Sequence, residues 1–262
     1  MRIRVSGCSD RGLVRDANED VLLVDAELGL FAVLDGIGGA AAGELAARTA
    51  ADALQLSLWH DRYRAGPEAD RQNRLREAVL VADRAVRQEA ASSGRLRGMG
   101  CTLTAVQIVD DRAIVAHVGD SRLYLVRGRI AHQITQDHTL AAELVRQGRL
   151  DRSGSRHHPG AHVLTQSLGG GREVSVEGHQ LELRAGDRLL LCTDGLSDYV
   201  DGPEDLVDMV SSSPIDAAVA DLVGYALDRG GHDNITILAI EMSAGAAPPP
   251  HCGTSFTMTG RS

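Results

Sequence analysis

The sequence predicts an α+β fold in which antiparallel sheets are covered by helices on the outside. Three observations carry that expectation. Short runs rich in Val, Leu and Ile follow one another without a crossover helix, as at 101–109, 112–118, 122–127 and 130–135. The helical stretches come in pairs between such runs, 42–59 with 68–91 and 204–211 with 215–228. A parallel α/β sheet would instead alternate strand with helix throughout. At 262 residues and 43% apolar composition, the chain is long enough to bury a large core without disulfides or a structural metal.

The elements follow in order. Residues 2–8, 20–25 and 29–34 read as three strands. AGELAARTAADALQLSLW (42–59) and EADRQNRLREAVLVADRAVRQEAA (68–91) repeat their apolar residues at helical spacing. CTLTAVQIV (101–109) and RAIVAHV (112–118) flank the turn formers Asp110 and Asp111, which predicts a hairpin. RLYLVR (122–127) and IAHQIT (130–135) are separated by a turn at Gly128. A short helix is expected at 138–147, and a mobile loop rich in Gly, Ser, His and Arg at 148–172. Strands at 174–183 and 188–193, the second helix pair, and a strand at 235–241 complete one domain over 1–242. The segment SAGAAPPPHCGTSFTMTGRS (243–262) holds three consecutive prolines and no apolar period, so it is expected to be a disordered tail.

Composition removes several classes of chemistry. All 27 basic residues are arginine. Without lysine there is no GK[ST] phosphate loop, no Schiff base and no kinase strand lysine. A net charge of −9 without a basic stripe argues against nucleic acid as a partner. The longest apolar runs, such as LGLFAVL (28–34), are far too short to span a bilayer. MRIRVSGCSDRG (1–12) has no apolar signal-peptide core, so no direct membrane insertion is expected. Cys8, Cys101, Cys192 and Cys252 show no CxxC spacing, and three of them sit inside apolar runs. A reducing cytoplasm is the expected location.

The acidic residues share a placement. Asp35 ends the strand FAVLD, Asp120 ends IVAHVGD, and Asp194 ends LLLCTD. Asp233 immediately precedes NITILAI, and Glu19 and Asp20 stand just before VLLVD. Each alone reads as an ordinary turn residue. Together they would gather carboxylates at the rim of a core, where they repel one another unless cations lie between them. Oxygen ligands without Cys or His suit hard ions such as Mg²⁺ and Mn²⁺.

At these residues a family resemblance emerges. SDRGLVRDANED (9–20), FAVLDGIGGAAAGE (31–44), GCTLT (100–104), HVGDSRLYLVR (117–127), LLLCTDGLSD (190–198) and GGHDNITIL (230–238) resemble the ordered motifs of the PPM, or PP2C-like, protein Ser/Thr phosphatases. The compact bacterial members are the most similar, and the resemblance covers residues 5–241. It implies an αββα sandwich, two antiparallel sheets flanked by helices. It also implies a Mn²⁺ or Mg²⁺ centre of two ions, with a third as an option, that activates water for direct attack on phosphoserine or phosphothreonine. Carried onto this chain, Asp35 would bridge two ions and the carbonyl of Gly36 would bind one. Asp194 and Asp233 would hold the first ion, and Glu19 would reach the second through water. Asp120 and Asp194 would serve the third. Arg15 would grip the substrate phosphate, and Asp20 would orient that arginine or a water. The implied partners are phosphorylated proteins, Ser/Thr kinases and their substrates, met by a monomeric enzyme.

The chain departs from the family at several places. Ile37 stands where animal members have a histidine and bacterial ones usually a methionine, so no proton donor is present there. Ala40 stands where relatives often have a histidine. His162 occupies the place of a serine contact to the third ion in some relatives, although scattered histidines such as His157, His158 and His162 in a loop are expected to be ordinary surface residues. Two rival readings compete with this one. Gly36-x-Gly38-x-x-Ala41 has the placement of a dinucleotide fingerprint, but Asp35 would face the pyrophosphate and no strand-terminal acid follows about twenty residues on. A catalytically inactive, phosphatase-like binding module would be expected to have lost Asp35, Asp194 or Asp233, and all three are present.

Overall fold

The computed structural model describes residues 1–61, 68–171, 173–211 and 213–244, together with the backbone of 255–259. The strands are β1 (Arg2–Asp10), β2 (Val21–Asp25), β3 (Leu30–Leu34), β4 (Gly36–Ile37), β5 (Gly100–Cys101), β6 (Leu103–Val109), β7 (Arg112–Val118), β8 (Arg122–Arg127), β9 (Ile130–Gln133), β10 (Glu177–Glu182), β11 (Arg188–Cys192), β12 (Ile235–Ser243) and β13 (Ser255–Thr259). The α-helices are α1 (Ala40–Asp61), α2 (Glu68–Ser92), α3 (Leu140–Arg146), α4 (Arg152–Ser155), α5 (Asp194–Ser197), α6 (Asp205–Ser211) and α7 (Ile215–Asp228).

Two sheets face each other, in the orders β13-β1-β12-β11-β8-β9 and β10-β7-β6-β3-β2, with β4-β5 as a short ribbon beside them. The alternation of side chains along each strand builds three apolar layers. On β3, Phe31 and Val33 turn into the layer between the sheets, while Leu30, Ala32 and Leu34 meet the helices. On β11, Leu189 and Leu191 point between the sheets, and Leu190 and Cys192 point outward. Ala46, Ala50 and Leu54 of α1 and Leu75, Val79 and Val86 of α2 cover one outer face. Leu206 of α6 and Val219 and Leu222 of α7 cover the other. The α+β, helix–sheet–sheet–helix architecture is therefore the expected one. Cys8, Cys101 and Cys192 are buried in these layers. At the β6–β7 hairpin, Asp110 takes a left-handed φ of 57°, a conformation that Asp tolerates because its short polar side chain can bond locally.

Two expectations need correction. Within the segment expected to be disordered, Ser243 still belongs to β12, and Ser255–Thr259 pairs in parallel with β1, from Arg4 opposite Ser255 to Cys8 opposite Thr259. Without that partner, β1 would present an open edge of N–H and C=O groups, and the alternating SFTMT sequence can satisfy it. Residues 245–254 and 260–262 of the expected tail lie outside the described residues. The loop at 148–172 contains the short helix α4 and is pinned at both sides, by bridges from Leu164 to Thr139 and from Leu168 to Cys101. Arg172 of that loop also lies outside the described residues.

β7 carries a fully buried histidine. His117 bonds Thr104 Oγ1 through Nδ1 at 2.9 Å and the carbonyl of Gln136 through Nε2 at 3.1 Å. Burial, reinforced by neighbouring His138 and opposed by Glu177 and Asp137, lowers its pKa to about 4. The unfolded chain, with histidine near 6.5, therefore binds this proton first. The resulting stability is complete above about pH 6.5 and is lost as the pH falls toward 4. Urea unfolding of the wild type and of His117→Gln at pH 7 and pH 5.5 checks this. The wild type should lose about 1 kcal/mol relative to the variant over that interval, and an unchanged difference would show that the ring is not held neutral.

Candidate active site

Antiparallel order decides where the acidic residues meet. Where one strand ends its neighbour begins, so residues ending β3, β7 and β11 come together with residues preceding β2 and β12. Arg15, Glu19, Asp35, Gly36, Asp120, Asp194 and Asp233 all line one cleft of about 670 Å³ at that edge. Asp20 does not line it. Its carboxylate is buried just beneath, where Oδ2 accepts from Thr193 Oγ1 at 2.9 Å.

Local bonds fix each group. The amide of Asp35 donates to Thr102 Oγ1 and the amide of Thr102 donates to the Asp35 carbonyl, both at 2.9 Å. Thr102 Oγ1 in turn lies 2.7 Å from Ser121 Oγ, beside Asp120. Asn234 ties the segment carrying Arg15 and Glu19 to the start of β12. Its Oδ1 accepts from the Glu19 amide at 2.8 Å, and its Nδ2 donates to the carbonyls of Arg11 and Ala17 at 2.9 Å. The main chain at Gly36 lies against the carbonyl of Gly43, and a Cβ at either glycine would overlap its surroundings, the Glu19 carboxylate in the case of Gly43. Only glycine allows this close approach of β4, α1 and Glu19. The turn into Asp120 is clamped by His138, whose Nδ1 accepts from the Gly119 amide at 3.1 Å and whose own amide donates to the Gly119 carbonyl at 2.7 Å. His138 Nε2 lies 3.4 Å from Glu177 Oε2. His117, His138 and Glu177 have the spacing of a metal-ligand set, but Nδ1 of His138 already accepts a hydrogen bond. In the neutral ring, Nε2 then carries the proton and faces the carboxylate, so the cluster is a hydrogen-bonded brace.

Arg15 is not oriented by Asp20. Its Nη2 donates to Asp233 Oδ2 at 2.5 Å, at the mouth of the cleft, with half of the side chain exposed. The physical reason is that Asp20 is drawn inward to Thr193, whereas Asp233 stays partly exposed beside the arginine. The bond to Asp233 raises the Arg15 pKa further above its ordinary value.

The carboxylates disfavour one another's charge. Burial pushes Asp35 well above the usual range, and Asp194, Asp20 and Asp120 push the same way. Asp120 is raised by burial and then by Asp194. Asp20 is raised by burial despite hydrogen bonds from threonines. Asp194 is raised to about 7, by burial and then by Asp198 and Asp233, although it shares a hydrogen bond with Asp35. Glu19 is raised by burial while Arg15 eases it. One oxygen of Asp194, Oδ1, is buried without a hydrogen-bond partner. Crowded, partly orphaned oxygen donors of this kind fit Mn²⁺ or Mg²⁺, which supply the missing positive charge.

The structure adds residues that the sequence reading did not assign. Asp198 joins Asp194 and His162 in a set whose ligand atoms lie within 4.8 Å of one another, with His162 Nδ1 3.7 Å from Asp198 Oδ2. His162 lines the cleft beside them. His157 and His158 do not line the cleft, and His158 Nδ1 accepts instead from the Gly160 amide. Asp198 was detectable, since it follows Asp194 by four residues and shares its face of one helical turn. Asn234 and Thr102 gave no comparable signal. Ile37 lines the cleft and offers no proton.

Comparison with known proteins places this geometry. The protein phosphatase 2C family profile matches residues 4–152. The chain is 37% identical over 240 residues to the Serine/threonine protein phosphatase PstP of Mycobacterium tuberculosis, covering 92% of this chain and 45% of that protein. It thus spans less than half the length of PstP. It is 34% identical over 248 residues to Protein phosphatase PhpP of Streptococcus pneumoniae, covering 92% of this chain and 98% of PhpP. It superposes on the crystal structure of the PstP catalytic domain in complex with two manganese ions with a TM-score of 0.80 at 36% identity, over 92% of this chain and 99% of that one. With that fold, that ring of carboxylates and those relatives, the chain belongs to the protein phosphatase 2C family.

Proposed function

We propose that this chain removes phosphate from phosphoserine and phosphothreonine in proteins, using two Mn²⁺ or Mg²⁺ ions held by Asp35, the carbonyl of Gly36, Asp194 and Asp233, with Glu19 acting through water. The observation that carries this reading is the crowding of raised-pKa carboxylates around a buried, unpartnered oxygen of Asp194. The metal-loaded PstP domain supports it. When bound, two such ions would neutralise the carboxylates and activate a water for attack on phosphorus. A third ion would sit on the side of Asp120, Asp194, Asp198 and His162.

The remaining work falls to the chain itself. Arg15 donates one N–H to Asp233 and has further donors in a planar fork suited to phosphate oxygens. Asp20, fixed by Thr193, supports the floor of the cleft. Asn234 keeps Glu19 and the Arg15 segment in register with Asp233. Because Ile37 cannot donate a proton, the departing serine or threonine oxygen takes its proton from solvent. Phosphorylated proteins, including Ser/Thr kinases and their targets, are the proposed partners of a cytoplasmic monomer. Among the described residues, no helix is long and apolar enough to cross a membrane. An inactive binding module is disfavoured because every assigned carboxylate is present and lines or underlies the cleft.

Hydrolysis of p-nitrophenyl phosphate should require Mn²⁺ or Mg²⁺ and vanish with EDTA, and full turnover after exhaustive chelation would refute the mechanism. Asp35→Asn, Asp194→Asn and Asp233→Asn should each lower turnover at least about 100-fold while leaving the protein folded by circular dichroism. A folded, metal-loaded variant with near wild-type rate would remove that residue from the centre.

Arg15→Ala should mainly raise KM, by about 10-fold, with a smaller loss in kcat. Arg15→Lys should recover part of that, since an ammonium supplies charge without the fork. Arginine and a cation both seek Asp233, so removing Arg15 should leave the Mn²⁺ requirement unchanged or slightly lower. Manganese titration of both variants decides this, because a markedly higher requirement would make Arg15 a support for the ligands.

A further inference from the structure

The chain carries a net charge of −9, yet one stretch of it has the opposite sign. Between residues 84 and 97 stand Arg84, Arg87, Arg95 and Arg97, with Glu89 as the one acid among them. Arg87 and Arg97 line a groove of about 490 Å³ where α2 ends, together with Ser93, Gly98, Gly169 and Gly171. Among the described residues, no carboxylate lines it.

Fixed bonds hold the groove in shape. Arg87 Nε donates to Asp83 Oδ2 at 2.7 Å, and Asp83 Oδ1 accepts from the Gly169 amide at 2.9 Å. Asp83 is buried and both of its oxygens are taken. Nη2 of Arg87 is itself buried without a hydrogen-bond partner, a state that costs stability until an acceptor arrives. The Arg87 side chain still keeps 30% of its surface open, so it is anchored yet reachable from the groove. Arg97 is exposed and makes no ion pair or side-chain hydrogen bond among the described residues. Ser93 Oγ accepts from the Arg95 amide at 3.3 Å and keeps its own proton to donate. The last carbonyls of α2 oppose an anion with about half a unit of negative charge, which two arginines outweigh. Main chain walls the groove off from the catalytic cleft. A Cβ at Gly38, in the cleft, would lie 3.1 Å from Met99 Cα, and one at Gly169, in the groove, 2.8 Å from the Met99 carbonyl oxygen.

We propose that this groove is a second anion site, where Arg87, Arg97 and Ser93 hold a phosphate group apart from the catalytic cleft. Phosphate fits because guanidinium forks pair with its oxygens in a two-toothed fashion. A cation would find no carboxylate there, and an apolar group no large apolar side chain. The phosphate arrives either as the free ion or on a second phosphorylated side chain of the substrate protein. The latter source rests on the phosphatase reading above, whereas the site itself does not.

The test titrates the full chain with inorganic phosphate by calorimetry, with Mg²⁺ present and again in EDTA. With Mg²⁺, one phosphate should bind in the cleft and another in the groove. EDTA should abolish the first, because the bare cleft carboxylates repel an anion, and should leave the second. Arg97→Gln should weaken the groove phosphate by about 10-fold in both conditions, with melting temperature and p-nitrophenyl phosphate hydrolysis unchanged. Arg87→Gln should weaken it at least as much, while loss of the Asp83 bond also lowers the melting temperature. Two phosphothreonine peptides, singly and doubly phosphorylated, separate the sources. A kcat/KM advantage of the doubly phosphorylated peptide that Arg97→Gln removes assigns the groove to substrate, and equal peptides assign it to the free ion. Failure of the phosphatase reading would appear as absent hydrolysis and leave the EDTA titration intact. A single phosphate site with Mg²⁺ and none in EDTA, or a second site indifferent to Arg97→Gln, would overturn the proposal.

Discussion

Like charge held close together in a place that water reaches poorly is the constraint on which this structure turns. Asp35, Asp120 and Asp194 are all raised by burial and then by neighbouring carboxylates, with Asp20 buried beneath them. No arrangement of hydrogen bonds within the chain relieves them all, as the unpartnered Asp194 Oδ1 shows. Such a cluster costs folding free energy in the ionised state. It persists because the strands that end there are committed to the core for other reasons. Leu30–Leu34 and Leu189–Cys192 are both wholly buried. The position of each terminal carboxylate follows from packing, and in the proposed function divalent cations would relieve the charge.

Rigidity is needed for that solution to be selective, and it comes from groups that do not touch the cations. Thr102 links the Asp35 backbone to Ser121 beside Asp120, and Thr104 extends the link to His117. His138 holds both the N–H and C=O of Gly119 and leans on Glu177. Burial and two histidine contacts act on Glu177 in opposite directions, and the hydrogen bonds prevail, lowering its pKa to about 2. A charged carboxylate therefore backs His138 across the physiological range. Asn234 does the same office on the opposite wall with neutral groups. A neutral amide can clamp the Arg15 segment to β12 without adding charge to an already acidic cleft.

Much of this was legible in the sequence. The continuous apolar runs FAVL and LLLC announced buried strands, and their terminal Asp-Gly pairs announced the rim, so Asp35, Asp194 and the fold class could be read from local pattern. Asp233 and Glu19 were legible because they stand just before such runs. The rest depends on long-range contact. Nothing near Arg15 reveals that its partner is Asp233, 218 residues away. Glu19 and Asp20 are adjacent, and only the strand's orientation sends one into the cleft and the other to Thr193. The pairing of Ser255–Thr259 with β1 was hidden because the prolines before it dominate the local composition, whereas an open sheet edge is a tertiary property. Asp198 was overlooked for a simpler reason: it lies in a recognisable motif but carries no strand-end signature.

The Arg15–Asp233 pair shows how one site can serve two demands. Both side chains are substantially exposed, so the pair contributes little to stability by itself, on the order of 0–1 kcal/mol. A weak pair is useful at this position. Were Arg15 bonded to a deeply buried carboxylate, turning toward a phosphate would strand that charge; here water reaches both partners, and exchanging Asp233 for a phosphate oxygen costs little. The same weakness lets a cation compete for Asp233. In the proposed function, phosphate and cation would take opposite ends of one loose ion pair, each freeing the group that the other requires. The deeper carboxylates have no such freedom, and under that reading this would separate a fixed floor for the ions from an adaptable mouth for the substrate.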